Sequence, residues 1–354
     1  MPKIKTVVKG SLSHKMRSLV AGCRILTGVL VRRAIGKPLV PEWGLGFEYG
    51  TLYWRHQWNH AFSLPDIEES RAYMDCCYSL PDFPLVAVEI RPNDQPKGHW
   101  YIPNTEKNDL TMLYFHGGGY TFYLDATRHF IGLLAQSLGI RIFAPDYRLT
   151  PEYPHPAQSE DAVAAYQYLL AQGRDPGRII IGGDSAGGHM TLMALVNFQK
   201  KQLPQPALAL GLCPWTDTGR RGASQFGNDR YDQVQGYQTL QFGQWLKGSG
   251  KFTDEELSPM YQDYRGLAPV YLQAGGKEVL VDMIRDFAKA LEKQGAKVRL
   301  DVWEHMTHDF QCFGSYLPES REAFECLQKS MAWVLQSGGA ETFSATARTE
   351  VNTL

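Results

Sequence analysis

The chain has 354 residues, with 36 Lys and Arg against 37 Asp and Glu, for a formal charge of −1. That length holds one sizeable core plus an accessory region, and the near-neutral balance excludes a nucleic-acid-coating surface, which needs a clear basic excess. At 44% hydrophobic and 21% charged residues, the sequence reads as globular rather than disordered.

The first patterned element is apolar, from Leu19 to Val31, and Arg24 interrupts it. It is too short and too charged to span a bilayer. No small-residue cleavage pattern follows it, so it does not read as a secretory signal, and a cytoplasmic location is expected. Met16, Leu19, Val20, Cys23, Leu26 and Leu30 share one face of a helix. Two readings fit that stripe: a helix lying on a membrane surface, or one packing its apolar face on the rest of the protein. Burial is the usual fate of such a stripe, so packing is the expectation and membrane contact by residues 16–33 the alternative.

Residues 1 to about 80 are rich in helical pattern and aromatics, among them Trp43, Phe47, Trp54, Trp58 and Phe62. After Pro84 the texture changes to short apolar runs separated by helical segments. Strands are predicted at Leu85–Ile90, Trp100–Pro103, Met112–Phe115, Arg141–Ala144, Ile179–Ile181, Ala207–Leu212, Val270–Gln273 and Val298–Val302. Helices are predicted at Arg128–Leu138, Ala157–Leu170, Gly187–Phe198, Val281–Lys293 and Glu319–Leu335. The alternation implies βαβ units around a mostly parallel sheet covered on both faces. Residues 216–251 interrupt this rhythm and read as an insertion. Residues 337–354 are small, polar and aperiodic, and are expected to form a flexible tail.

The strongest chemical signal is Ile179-Ile180-Ile181-Gly182-Gly183-Asp184-Ser185-Ala186-Gly187-Gly188. An apolar strand enters Gly-x-Ser-x-Gly and a helix leaves it, the context of a sharp turn that lifts a nucleophilic hydroxyl above a sheet. Upstream, Met112–Phe115 runs into His116-Gly117-Gly118-Gly119. Consecutive glycines after a strand expose backbone N–H donors that, with the N–H of Ala186, suit a tetrahedral oxyanion. A serine needs a base. His189 lies in the helix after the nucleophile, whereas His305 and His308 both follow the last predicted strand. Glu278 and Asp282 lie just past a strand end, and either carboxylate suits an imidazole partner. The six cysteines, including adjacent Cys76-Cys77, form no CxxC pair, and HExxH is absent. Reduced thiols and no metal site are expected.

Together these residues resemble the hormone-sensitive-lipase-like branch of the α/β-hydrolase superfamily. The resemblance spans roughly Tyr114 to Trp333 and rests on His116–Gly119, on Pro145-Asp146-Tyr147-Arg148-Leu149-Thr150-Pro151-Glu152 with Pro156-Ala157, and on Gly183–Gly188. It implies an α/β-hydrolase fold, a mostly parallel eight-stranded sheet flanked by helices. Residues 81–336 would form the catalytic domain, under a helical cap built from residues 1–80 and the insertion near 216–251. It implies ester hydrolysis without a cofactor, with Ser185 as nucleophile, His308 as base and Gly117, Gly118, Gly119 and Ala186 around the oxyanion. The family's acid motif usually reads Asp-Pro-Leu-x-Asp about 30 residues before the histidine. Glu278 takes that first place, 30 residues before His308, with Asp282 in reserve.

The expected function is a serine carboxylesterase acting on small or medium apolar esters. Its expected partner is a small-molecule ester, with no nucleic acid and no transmembrane segment. An acyltransferase or amidase with the same triad, and a non-catalytic receptor on the same fold, are the alternatives. Most cap aromatics are read as filling the cap's own core.

Overall fold

A computed structural model describes residues 10–77 and 88–337. Three helices come first: α1 (Leu12–Ala34), α2 (Leu45–Ser63) and α3 (Ile67–Met74). Eight strands follow: β1 (Val88–Asp94), β2 (Lys97–Pro103), β3 (Thr111–Phe115), β4 (Arg141–Pro145), β5 (Ile179–Asp184), β6 (Leu208–Leu212), β7 (Val270–Gly275) and β8 (Val298–Trp303). The helices among and after them are α4 (Asp125–Leu138), α5 (Ala157–Ala171), α6 (Ser185–Lys200), α7 (Ser224–Gly227), α8 (Gly236–Lys247), α9 (Asp254–Leu257), α10 (Val281–Gln294) and α11 (Pro318–Ser337).

The strands form one sheet in the order β1-β2-β4-β3-β5-β6-β7-β8. β2 runs antiparallel to both β1 and β4, and every pairing from β4 onward is parallel. The central strands β3, β5, β6 and β7 are buried along their whole length. That is why they read in sequence as continuous apolar runs. Side chains alternate between two cores. Leu113, Phe115 and Ile181 enter the one packed by α5, α6 and α10, while Met112, Tyr114 and Ile180 enter the one packed by α4 and α11.

All eight predicted strands and all five predicted helices are present. The first strand was expected from Leu85; residues 78–87 lie outside the described set, and the described strand starts at Val88. The expected tail lies outside it too, apart from Ser337, which closes α11.

The N-terminal helix departs from expectation. Its buried residues are Ser18, Ala21, Gly22 and Val29. Small side chains let α1 approach α2 closely: Ser18 Oγ and Tyr53 Oη lie 2.6 Å apart, and Arg32 and Arg33 both pair with the fully buried Glu48. The predicted stripe of Met16, Leu19, Val20, Cys23, Leu26 and Leu30 faces outward instead. The face that packs is set by closeness of approach and by the buried ion pair, not by apolar bulk.

Candidate functional site

The parallel strands end on one edge, and the loops leaving that edge carry the site. β5 delivers Ser185, the first residue of α6, at φ 53°. This left-handed backbone is costly for a residue with a side chain and belongs to a tight strand-to-helix turn. Gly187 sits so close to the Phe115 carbonyl oxygen that a Cβ there would collide with it. The glycine after the serine thus lets β5 turn against the end of β3.

β3 delivers the glycine loop. Gly118 and Gly119 take φ 102° and 62°, and both line the same cavity as Ser185. No described residue accepts a hydrogen bond from their N–H groups. Ala186 lies in the first turn of α6, where backbone N–H groups have no intrahelical partner. Gly117 corrects the expectation. Its N–H donates to Asp184 Oδ1 at 3.0 Å, so it braces the loop and offers no free donor. Asp184 Oδ1 also accepts from Tyr114 Oη at 2.6 Å, tying β3, β5 and the loop together. His116 is stacked between Tyr123 and Tyr147, at centroid distances of 3.8 and 4.1 Å. Burial drives its pKa down to about 3, which keeps it neutral while its Nδ1 meets the Gly117 carbonyl at 2.7 Å.

β7 and β8 deliver an acid and a histidine. Glu278 is fully buried, accepts from Gly275 N at 2.9 Å through Oε1, and meets His308 Nδ1 at 2.7 Å through Oε2. Asp282, the reserve, lies elsewhere: its Oδ2 accepts from Ser224 N at 2.8 Å. His305 is half-exposed, with Nδ1 3.7 Å from Glu42 Oε2. His189 is buried between Tyr120 Oη and the Leu257 carbonyl. His308 therefore shares a cavity with Ser185, and His305 and His189 do not. Ser185 Oγ and His308 Nε2 are not hydrogen-bonded; Nε2 lies 3.3 Å from Asp309 Oδ2. In serine hydrolases this contact tightens as substrate binds.

Burial alone would depress the imidazole pKa of His308, but the carboxylates of Asp309, Glu278 and Asp232 outweigh it and hold that pKa above its ordinary value. Cys213, Glu278 and His308 place ligand-type atoms within 4.8 Å of one another. Burial raises the Cys213 thiol pKa, and Glu278 and His308 are bonded to each other.

Asp232 went unrecognised in the sequence. It lies in the 216–251 segment, is fully buried, and accepts three backbone N–H bonds: His308 at 2.9 Å, Gln233 at 2.8 Å and Val279 at 2.7 Å. One carboxylate thus joins the loop after β7 to the loop after β8. Asp232→Ala strands these donors, and a loss of about 3 kcal/mol is expected, read as a lower urea midpoint at unchanged slope.

The cavity above these groups has a volume of about 1070 Å³. Trp54 and Trp58 of α2, Phe242 of α8, and Trp215, Phe47 and Phe313 line it. Other aromatics of these segments pack on each other, as Phe62 does with Trp245 at 5.7 Å and with Tyr237 at 5.8 Å. The aromatics are divided between cavity wall and interior, where core filling was the main expectation.

Residues 112–312 match a family model described as the α/β-hydrolase fold. An acetyl-hydrolase of Streptomyces hygroscopicus is 36% identical over 232 residues, 64% of this chain and 76% of that protein. A carboxylic ester hydrolase of Mycobacterium tuberculosis is 31% identical over 269 residues, 69% of this chain and 70% of its own. Among solved structures, an esterase from the bacterial hormone-sensitive lipase family superposes with a TM-score of 0.71 at 31% identity, covering 78% of this chain and 95% of that one.

Proposed function

Because the chain belongs to the hormone-sensitive-lipase-like branch of the α/β hydrolases and is a carboxylic ester hydrolase, we propose that it cleaves small or medium apolar esters through an acyl-enzyme on Ser185. The observation that carries this reading is the buried 2.7 Å bond between His308 Nδ1 and Glu278 Oε2, in a cavity that Ser185 also lines.

The chemistry follows from the tautomer. A proton held on Nδ1 by Glu278 leaves the Nε2 lone pair as the base. Nε2 takes the Ser185 proton as Oγ attacks the ester carbonyl, and Glu278 stabilises the imidazolium. The oxyanion rests on the N–H groups of Gly118, Gly119 and Ala186. His308 then protonates the departing alcohol, and a water repeats the sequence to release the acid. The described part of residues 1–80, with residues 216–251, acts as a cap over this edge, in keeping with the aromatics that α2 and α8 contribute to the cavity wall. Six unpaired cysteines are in keeping with a reducing cytoplasm.

A Cβ on Gly119 would meet the Phe242 ring and strain a backbone at φ 62°. Gly119→Ala therefore displaces one oxyanion donor, and kcat is expected to fall about 10²- to 10³-fold. Circular dichroism checks that the variant is folded. The substrate class is tested with p-nitrophenyl acetate, butyrate, octanoate and palmitate beside an anilide of butyrate. Turnover of the first three, with palmitate and anilide far slower, is expected. Preference for the anilide or the palmitate contradicts it.

A further inference from the structure

The outward face of α1 has no partner within the described chain. Leu19 and Val20 are each 60% exposed and Leu30 is 48% exposed, and Leu12, Met16 and Val31 lie beside them. At 100° per residue these side chains fall within about 120° of arc, opposite the packed residues Ser18, Ala21 and Val29. Cations flank both edges of the stripe: Arg17 and Arg24 on one side, Lys15 on the other. Arg17 and Arg24 are exposed, and no described carboxylate pairs with them. Residues 1–37 contain nine Lys and Arg and not one Asp or Glu, in a chain whose formal charge is −1. An apolar stripe between basic edges is complementary to an anionic lipid surface, where each cation contributes about five-fold to partitioning. No described helix is long and apolar enough to cross a membrane, which leaves α1 to lie along the surface.

The same face adjoins the cavity. Leu19, Cys23 and Leu26 are exposed and also line the cavity that holds Ser185, as does the exposed Tyr316. The cavity mouth therefore opens beside the stripe. We propose that α1 docks the protein on anionic membranes, so that esters dissolved in the bilayer pass from the lipid surface past Leu19 and Leu26 to Ser185. The docking stands on α1 alone, whereas the substrate route rests on the esterase reading.

The test uses the full chain and flotation with vesicles of phosphatidylcholine alone or with phosphatidylglycerol. Binding is expected with the anionic vesicles, weakening with salt, and equally for Ser185→Ala. Val20→Glu/Leu30→Glu, at exposed positions outside the cavity, is expected to lose at least ten-fold in bound fraction. It keeps wild-type turnover of p-nitrophenyl acetate in water and loses turnover of 4-methylumbelliferyl octanoate dissolved in the vesicles. Absence of wild-type binding to anionic vesicles, or equal binding by the double variant, overturns the docking. A dimer in solution that the double variant dissociates overturns it as well, assigning the face to a second copy. If docking holds and neither ester is hydrolysed, the esterase reading fails instead.

Discussion

Ser185→Ala should lower kcat for p-nitrophenyl butyrate by about 10⁵- to 10⁶-fold while leaving the fold intact. The size of the effect follows from the covalent route, because without the oxygen nucleophile only the oxyanion donors and the cavity remain. The fold should persist because Ser185 Oγ is bonded to neither His308 nor any other described side chain, so its removal strands no buried partner. The left-handed backbone at 185 is as costly for alanine as for serine. An unchanged melting curve together with the lost turnover is the expected pair of results. Turnover within ten-fold of wild type would refute the serine route.

Glu278→Gln should cost about 10⁴-fold in kcat, since the amide no longer fixes the imidazole tautomer or stabilises its charged form. Asp282→Asn should change kcat little, because that carboxylate bonds Ser224 and not His308. The pH profile separates the two further. Burial lowers the His308 pKa, but Asp309, Glu278 and Asp232 raise it by more. The base works only when neutral, so kcat/KM should rise with pH, its acid limb lying above the ordinary imidazole value near 6.5. Removing the Glu278 charge removes one of the raising influences, and the limb should move to lower pH. A limb that stays in place in Glu278→Gln and moves in Asp282→Asn would transfer the role to Asp282.

Much of this arrangement was legible in the sequence, and the physics explains which parts. Strands buried on both faces leave unbroken apolar runs, so Ile179–Ile181 and Met112–Phe115 stood out. The turn at Ser185 demands glycines at fixed offsets, which made it visible as well. The extension of β2 back to Lys97 was not legible, because a hairpin of Lys, Gly and His carries no apolar alternation. Periodicity showed which α1 residues share a face but not which face packs. Small residues and the Arg32–Glu48 pair decided that. Gly117 was grouped with its neighbours because sequence does not reveal that Asp184 takes its N–H. Asp232 left no signal, since its role exists only once the loops after β7 and β8 meet around it.

The most direct measurement is the site of covalent capture by a p-nitrophenyl alkylphosphonate, followed by intact mass and peptide mapping. One adduct per chain on Ser185 is expected, formed orders of magnitude more slowly in His308→Ala. An adduct on another residue, no adduct, or a rate indifferent to His308 would contradict the pairing of that serine with that imidazole.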